Sequence, residues 1–198
     1  MNIYFAPLEG ITGFVLRNAY ESCFPGTIDR YFAPFIAASC RKKLAARDLR
    51  DVLPENNTGI CLIPQLLANK GEDFISTAQM LYQFGYRELN LNLGCPSATV
   101  VTKKRGAGLL AEPELLKVFL TECYDWAEGK GIRLSIKTRI GMAEEAEWEK
   151  LFSLYEAFPV SELIIHPRLR EDYYQGRIRE EAFAKAYRKI CTEHEQPA

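Results

Sequence analysis

The sequence of 198 residues predicts an α/β fold of the (β/α)8 TIM-barrel type, represented by about six βα units. Short apolar segments alternate with helical segments six times, which is typical of a parallel sheet built from βαβ units. Polar residues recur where the predicted strands end, and this is the edge at which such barrels bind their ligands. No GxGxxG motif follows the first strand, so the barrel is preferred to an open doubly wound sheet.

Local signals mark where the elements begin and end. Thr12 has a side chain suited to a helix N-cap, Pro113 suits a first helical turn, and Gly141 is expected to end a strand. The predicted strands cover 2–5, 27–32, 59–65, 88–95, 133–139 and 161–165. The predicted helices cover 12–20, 44–53, 72–83, 113–126, 144–157 and 179–190.

The number of predicted units falls short of a closed barrel, which needs eight. We therefore expect 1–198 to form one partial barrel domain from which the last strands are absent. No internal repeat or low-complexity segment explains the difference. The chain is expected to be a fragment, a truncated gene product, or a barrel whose missing strands are supplied otherwise.

Composition narrows the class of protein. The net charge of −1 gives no global sign of nucleic-acid binding, although a local basic patch stays possible. Six cysteines show no CxxC pair and no metal-site spacing with the two histidines, so we expect free thiols, no metal and a reducing cytoplasm. The first residues resemble neither a signal peptide nor a membrane span, so no membrane association is expected.

The segment around Cys95 is the most informative part of the sequence. Leucines at 89, 91 and 93 alternate with Asn90 and Asn92, so the strand has one apolar face and one face of amides. Gly94 permits a sharp turn and Pro96 cannot continue a ladder, which places Cys95 at the strand end. A thiol there can act as nucleophile or proton donor. The alternative is a buried structural cysteine, and the strand-end position favours function.

Lys137 lies within an otherwise apolar strand, and Arg139 shares its face. An ammonium inside a barrel needs a partner, because burying an unpaired charge is costly. An anionic cofactor would serve, and so would a carboxylate such as Glu9 or Glu88.

Two further basic groups follow predicted strands. His166 with Arg168 suits a phosphate or a ring rich in carbonyl groups, or else an ordinary surface loop. Lys103 and Lys104 lie beside Arg105 in a glycine-rich loop that suits a phosphodiester backbone, although such charge runs are usually just solvated.

Seven segments together resemble the tRNA-dihydrouridine synthases, a family of FMN-dependent barrel enzymes. In chain order they are APLEGIT at 6–12, PQLL at 64–67, NLNLGCP at 90–96, KRGAG at 104–108, KTRIG at 137–141, HPR at 166–168 and YQG at 174–176. The resemblance covers nearly the whole chain, and the segment that contains Cys95 is its most specific part.

The resemblance implies a role for each matching residue. The implied FMN-binding residues are Pro7, Leu8, Glu9, Gln65, Lys137 and His166, the first three largely through their backbone. The implied substrate-binding residues are Asn92, Arg139, Arg168, Lys103 and Lys104. Cys95 would be the general acid: reduced FMN delivers hydride to C6 of a tRNA uridine, Cys95 protonates C5, and NADPH then reduces the flavin. The base must be extruded from the tRNA to reach the flavin.

The sequence also departs from the family pattern. Leu8 replaces a methionine and Gly13 an aspartate. The later NG[DN] and GRG loops for the FMN phosphate, and the C-terminal helical domain that helps to hold tRNA, are not present. We therefore expect the chain alone to bind FMN weakly and to be inactive. The alternatives are an FMN barrel dehydrogenase acting on a free pyrimidine, and a non-enzymatic remnant. The sequence does not indicate which position of tRNA is modified or how many copies of the chain associate.

Overall fold

Parallel strands and helices alternate along the chain in the computed structural model, which describes residues 2–41 and 43–194. The strands are β1 Tyr4–Phe5, β2 Arg30–Phe32, β3 Ile36–Ala37, β4 Leu62–Ile63, β5 Gln65–Leu67, β6 Glu88–Leu93, β7 Arg133–Arg139 and β8 Leu163–His166. The helices are α1 Phe14–Cys23, α2 Ala46–Val52, α3 Gly71–Gln83, α4 Ala98–Val101, α5 Pro113–Glu128, α6 Glu147–Glu156 and α7 Glu180–His194. Short 3-10 helices cover Pro54–Asn56 and Gly106–Ala111.

The strands form one curved wall in barrel order. The pairing orders are β1-β2-β4 and β3-β5-β6-β7-β8, and every pair is parallel. β2 and β3 follow each other closely in the chain, as do β4 and β5, so each of these two pairs counts as one interrupted strand. The eight short strands therefore occupy six strand positions in the wall. The predicted α/β fold with parallel strands is confirmed. Within the described part of the chain, β1 and β8 are the two edges and do not pair with each other.

Pro64 explains one interruption that the sequence analysis did not foresee. Proline has no backbone N–H and cannot donate to a ladder, so β4 ends before Pro64 and β5 starts after it. Its carbonyl still accepts a hydrogen bond from the Asn90 N–H at 2.9 Å, which keeps β6 in place. The predicted strand 59–65 is therefore two short strands, and the second continues to Leu67.

The amino ends of the strands meet in a cluster of charged and polar side chains. The Tyr4 hydroxyl of β1 donates to Glu162, just before β8, at 2.6 Å, so the two edges of the wall approach each other. Arg30 bridges Glu88 at 2.7 Å and Glu162 at 3.4 Å, and Arg133 contacts Glu88 at 2.6 Å. Glu88 is thus the partner of arginines at this end of the wall.

The central strands are buried under the outer helices. Leu89, Leu91 and Leu93 of β6 belong to the apolar core. Phe74 of α3 lies edge-on to Phe119 of α5, at a ring-centroid distance of 6.3 Å. The predicted alternation along this strand is confirmed, because the amides of Asn90 and Asn92 lie on its other face and bond to neighbouring strands.

Thr12 does not cap α1, which corrects one local prediction. The N-cap position is Gly13, and the Phe14 N–H donates instead to the Asp51 carboxylate at 2.8 Å. The Thr12 hydroxyl accepts a hydrogen bond from the Leu8 N–H at 2.8 Å. Thr12 therefore stabilises the turn between β1 and α1 rather than the helix end.

The structure also bears on the expectations about membrane spans, metal sites and cysteines. No helix in the described part of the chain is long and apolar enough to cross a bilayer. Among the described side chains, no group of three or more His, Cys, Asp or Glu could hold a metal ion. The cysteines at 23, 40, 61, 95 and 123 are free, and Cys191 lies outside the described side chains.

Glu147 offers a pH-dependent test of the loop that follows β7. Its carboxylate accepts hydrogen bonds from the backbone N–H groups of Met142, Ala143 and Glu144 at 2.8, 3.0 and 2.8 Å. Burial raises the pKa of Glu147, but these three hydrogen bonds outweigh that effect and hold it below its usual range. A lowered pKa means stability that is present above the unfolded-state pKa and lost as pH falls through the folded-state pKa.

We expect Glu147→Gln to lower the free energy of unfolding by about 1 kcal/mol at pH 7. The difference from the unsubstituted protein should shrink below about pH 4, where the carboxyl group becomes protonated. Urea unfolding at both pH values measures this. Glu144→Gln, in the same loop with an exposed side chain, is the control. An equal loss of unfolding free energy at both pH values would contradict the stabilising role of the ionised Glu147 carboxylate.

Candidate active site

A cavity of about 710 Å³ opens at the carboxyl ends of the strands. Its lining is drawn from the loops or ends of all six strand positions, as expected for a ligand site in an α/β barrel. Nine residues singled out from the sequence line it: Pro7, Leu8, Glu9, Gln65, Asn92, Cys95, Lys137, Arg139 and His166. Three others, Lys103, Lys104 and Arg168, lie outside this lining.

The Asn92 side chain holds the backbone that carries Cys95. Its Oδ1 accepts hydrogen bonds from the N–H groups of Gly94 at 3.1 Å and Cys95 at 2.9 Å. Its Nδ2 donates to Gln65 Oε1 at 2.8 Å. Because one N–H of the Asn92 amide is still unused, Asn92 can contact a ligand as well as position Cys95.

The amides continue across the inner face of the wall. Gln65 Nε2 donates to Asn90 Oδ1 at 2.7 Å, and Asn90 Nδ2 donates to Ser135 Oγ at 2.9 Å. Register explains the contacts, since Gln65 pairs with Asn90, and Asn90 with Ser135. The predicted amide face is therefore a connected hydrogen-bond network across the inner face of the wall.

Close backbone packing fixes Cys95 on both sides. A Cβ on Gly94 would lie 3.3 Å from the Thr138 carbonyl carbon. Gly106 has a φ of +54°, and a Cβ there would lie 3.0 Å from Cys95 Cβ. The Ala107 N–H donates to the Cys95 carbonyl at 3.1 Å. Part of the loop after β6 is thus a 3-10 helix that packs against Cys95 and hydrogen-bonds to its carbonyl. From the sequence, this segment was predicted only as a glycine-rich loop.

The surroundings of the Cys95 thiol favour its protonated form. Burial raises the pKa of Cys95, and Glu9 adds to the increase, while a backbone hydrogen bond at Ser97 and the charges of Arg139 and Lys137 oppose it. The net direction is upward. At neutral pH the group is therefore a thiol, which can donate a proton but is a poor nucleophile.

Lys137 has no carboxylate partner in the described part of the chain. Of the two candidates considered from the sequence, Glu9 pairs with Arg47 at 3.3 Å, and Glu88 pairs with arginines at the opposite end of the wall. Burial lowers the pKa of Lys137, and the charge of Arg139 lowers it further. A cation in this setting is stabilised by an anion or an electron-rich carbonyl that enters the cavity.

Arg139 links the cysteine loop to the loop after β8. It is 1% exposed, its Nε donates to the Gly94 carbonyl at 2.9 Å, and its Nη1 donates to the Leu169 carbonyl at 2.8 Å. Nη2 has no protein acceptor among the described residues. The ring of Tyr174 lies 5.5 Å from the guanidinium carbon. Arg139 is therefore a structural link between the two loops, and its Nη2 is a buried donor without a partner among the described residues.

Leu8 lines the cavity, and its backbone polar groups take part in the turn after β1. Its N–H donates to Thr12 Oγ1, and its carbonyl accepts the N–H groups of Ile11 and Thr12. Leu8 as a whole is 47% exposed. Its N–H is already used within the turn, and the flavin contact expected at this position stays a prediction.

His166 and Arg168 form a pair at the end of β8. Arg168 Nη1 lies 3.0 Å from His166 Nε2, and Arg168 Nε donates to the Gly176 carbonyl at 2.8 Å. Burial lowers the pKa of His166 to about 4, helped by the positive charges of Arg139, Lys137 and Arg168. The imidazole ring is therefore neutral at physiological pH.

The basic loop lies outside the cavity on the protein surface. Lys103 and Lys104 are exposed, and Lys104 pairs with Glu112 at 2.7 Å. Arg105 turns away from them toward Asp73 at 3.2 Å. Tyr173 also lines the cavity, although it was not predicted as a site residue. Its position in the loop after a strand was the available signal.

Comparison with known proteins identifies the family. The model of the family described as "Dihydrouridine synthase (Dus)" matches residues 4–191. A probable tRNA-dihydrouridine synthase of Staphylococcus aureus is 28% identical over 170 residues, which cover 84% of this chain and 49% of that protein. Probable tRNA-dihydrouridine synthase 2 of Bacillus subtilis is 25% identical over 168 residues, 84% of this chain and 50% of that protein.

The chain thus spans about half the length of these curated relatives. The family match, in contrast, extends over almost all of the chain and includes every strand that lines the cavity. The chain belongs to the dihydrouridine synthase family.

Proposed function

We propose that the protein is a tRNA-dihydrouridine synthase that reduces the C5–C6 double bond of uridines in tRNA, with FMN as cofactor and NADPH as reductant. The observation that carries the proposal is a protonated thiol and an unpaired ammonium, Cys95 and Lys137, facing one cavity. The family to which the chain belongs supports the same reaction. A tRNA-modifying enzyme of this kind acts in the cytoplasm.

The residues around the cavity fit a flavin ring. A volume of about 710 Å³ lies in the usual range of small-ligand sites. The Lys137 ammonium suits the carbonyl edge of the ring, where the reduced form carries negative charge. Gln65 of β5 and His166 of β8 would hold the ring from two sides of the wall, and Leu8 would pack against it.

Bound FMN would supply a hydride, which the protein's side chains do not provide. The chain's own contribution is a proton: Cys95 Sγ–H donates to C5 of the uracil, and water later returns a proton to the sulfur. Asn92 keeps the Cys95 backbone in place through its two N–H hydrogen bonds. The unused N–H of Asn92 and Nη2 of Arg139 are the donors that would orient the uracil carbonyl groups.

The exposed lysines beside the cysteine loop suit the tRNA backbone. We expect Lys103→Ala combined with Lys104→Ala to weaken tRNA binding about uniformly and to reduce the slope of log affinity against log salt by about 1–2. Flavin binding should not change, because neither residue lines the cavity. Filter binding at several salt concentrations measures the effect. The control is Lys117→Ala, an exposed lysine on α5, and an unchanged slope in the double variant would contradict the role.

The test of the function is complementation. The full reading frame that contains this sequence is expressed in a bacterial strain without dihydrouridine synthases, and dihydrouridine in its tRNA is quantified by mass spectrometry. We expect the modification to reappear. If soluble protein accumulates and tRNA stays unmodified, the proposal fails. Reduction of free uracil or orotate by the purified protein, without activity on tRNA, would support the free-pyrimidine dehydrogenase instead.

A further inference from the structure

Arg168 contacts His166 through Nη1 and Nε2, which lie 3.0 Å apart, and of these two residues only His166 lines the cavity. We propose that Arg168 is a positioning residue that fixes His166 as the neutral Nδ1–H tautomer. His166 then presents a hydrogen-bond donor, and not an acceptor, to the ring bound in the cavity. The inference deepens the proposed function, since it specifies how one residue of that site recognises its ligand.

The chemistry of the two groups sets the tautomer. A guanidinium has only N–H donors and no acceptor. Arg168 Nη1 lies 3.0 Å from His166 Nε2, so this nitrogen must offer its lone pair. In a neutral imidazole the other nitrogen then carries the proton. No hydrogen bond joins Nδ1 to another group in the described part of the chain, so its N–H has no protein acceptor there.

The loop between β8 and α7 holds Arg168 in this position. Arg168 Nε donates to the Gly176 carbonyl at 2.8 Å. Gly176 packs so closely on Asp172 that a Cβ would lie 2.2 Å from the Asp172 Cβ. Asp172 in turn accepts the Leu169 N–H at 2.8 Å and pairs with Arg179. The Arg168 guanidinium is therefore held by the Gly176 carbonyl at Nε and lies against the His166 ring at Nη1. Among the described rings, only His166 is hydrogen-bonded to it.

The charges around His166 support a neutral ring. Lys137 and Arg139 face it from β7, Arg168 faces it from its own loop, and the ring of Tyr174 lies 6.2 Å away. Burial and the three cations all lower the pKa of His166, to about 4. A protonated ring would have a second N–H in place of the Nε2 lone pair and could not accept from Arg168.

The tautomer limits what can lie opposite His166. A ligand must present a carbonyl oxygen or an unprotonated ring nitrogen to Nδ1–H, and a ring N–H at that place would face another donor. Arg168 itself is not among the residues that line the cavity. Its effect on the ligand is thus exerted through His166 rather than by direct contact with uracil.

Nitrogen-15 NMR of the ligand-free protein tests the proposal. The sequence has two histidines, and His194→Gln leaves His166 as the only one. Long-range ¹H–¹⁵N correlation then reports which ring nitrogen carries the proton. We expect a protonated Nδ1 and an unprotonated Nε2, unchanged from about pH 5.5 to about pH 8. A major Nε2–H form, or a charged ring at pH 7, would overturn the proposal.

Three substitutions in this background isolate the role of Arg168. Arg168→Met removes the donor, so we expect the Nε2–H form to become populated and the pKa of His166 to rise. Arg168→Lys restores one donor and should partly recover the Nδ1–H form. Arg170→Met, which removes the arginine over the Tyr173 ring in the same loop, should change nothing.

An unchanged tautomer ratio in folded Arg168→Met would overturn the proposal, and if that variant does not fold, the wild-type spectrum still decides. No flavin, tRNA or turnover enters the measurement. A failed complementation test together with the expected spectrum would refute the synthase function but leave the tautomer assignment standing.

Discussion

Replacing Cys95 with alanine is expected to lower the rate of dihydrouridine formation by about 10²–10⁴-fold, the usual contribution of a general acid. The thiol is half-buried, protonated at neutral pH and held by backbone hydrogen bonds from both sides. Removal of the sulfur leaves this backbone and the flavin contacts in place. Single-turnover kinetics of the protein from the full reading frame should therefore show normal flavin reduction by NADPH and a slow reaction of the reduced flavin with tRNA.

Two variants control for effects other than proton donation. Cys95→Ser keeps the size and position of the group but is a much weaker acid, so it should resemble the alanine variant. Cys23→Ala changes an exposed cysteine at the end of α1 and should be silent. Near-normal tRNA reduction by Cys95→Ala would remove Cys95 from the mechanism.

Replacing Arg17 with methionine is expected to lower the free energy of unfolding by about 3 kcal/mol, because several buried acceptors would lose their donor. Arg17 is fully buried in α1. It donates to the Thr12 carbonyl at 2.7 Å, the Asp51 carbonyl at 2.6 Å and Asn57 Oδ1 at 2.9 Å. These contacts fix the turn that carries Pro7 and Leu8, so flavin affinity should fall as well.

Urea denaturation measures the stability of this variant, and flavin fluorescence titration measures the affinity. Arg47→Met is the matched control, since Arg47 is an exposed arginine on α2 with surface ion pairs to Glu9 and Asp48. Such pairs contribute at most about 1 kcal/mol. A loss for Arg17→Met no larger than that of the control would show that the buried contacts are not stabilising.

The sequence predicted features that depend on local pattern. Leucine alternation identified β6, and Gly94 with Pro96 identified the strand end at Cys95. The placement of Lys137 on the inner face followed from the same period of two. These predictions succeed because a strand whose two faces differ leaves little choice of which side chains point inward.

Features that depend on distant partners were not predicted. Arg17 looks like a surface residue of an amphipathic helix, and its acceptors at Asp51 and Asn57 lie more than 30 residues away. The sequence predicts that a strand ends at Pro64–Gln65, but the Pro64 carbonyl still accepts a hydrogen bond from β6. The hydrogen bond from Arg168 to the Gly176 carbonyl across a loop cannot be read from spacing.

The inner amides have a common direction. The Cys95 N–H donates to Asn92, Asn92 to Gln65, Gln65 to Asn90, and Asn90 to Ser135, whose hydroxyl donates to the Leu89 carbonyl at 3.3 Å. Hydrogen bonds arranged head to tail polarise one another, so no single amide can turn over without breaking bonds on both sides. The backbone that carries the Cys95 thiol is thus held cooperatively by residues of three strands, and the Ser135 hydroxyl at the far end of the chain of amides contributes to holding it.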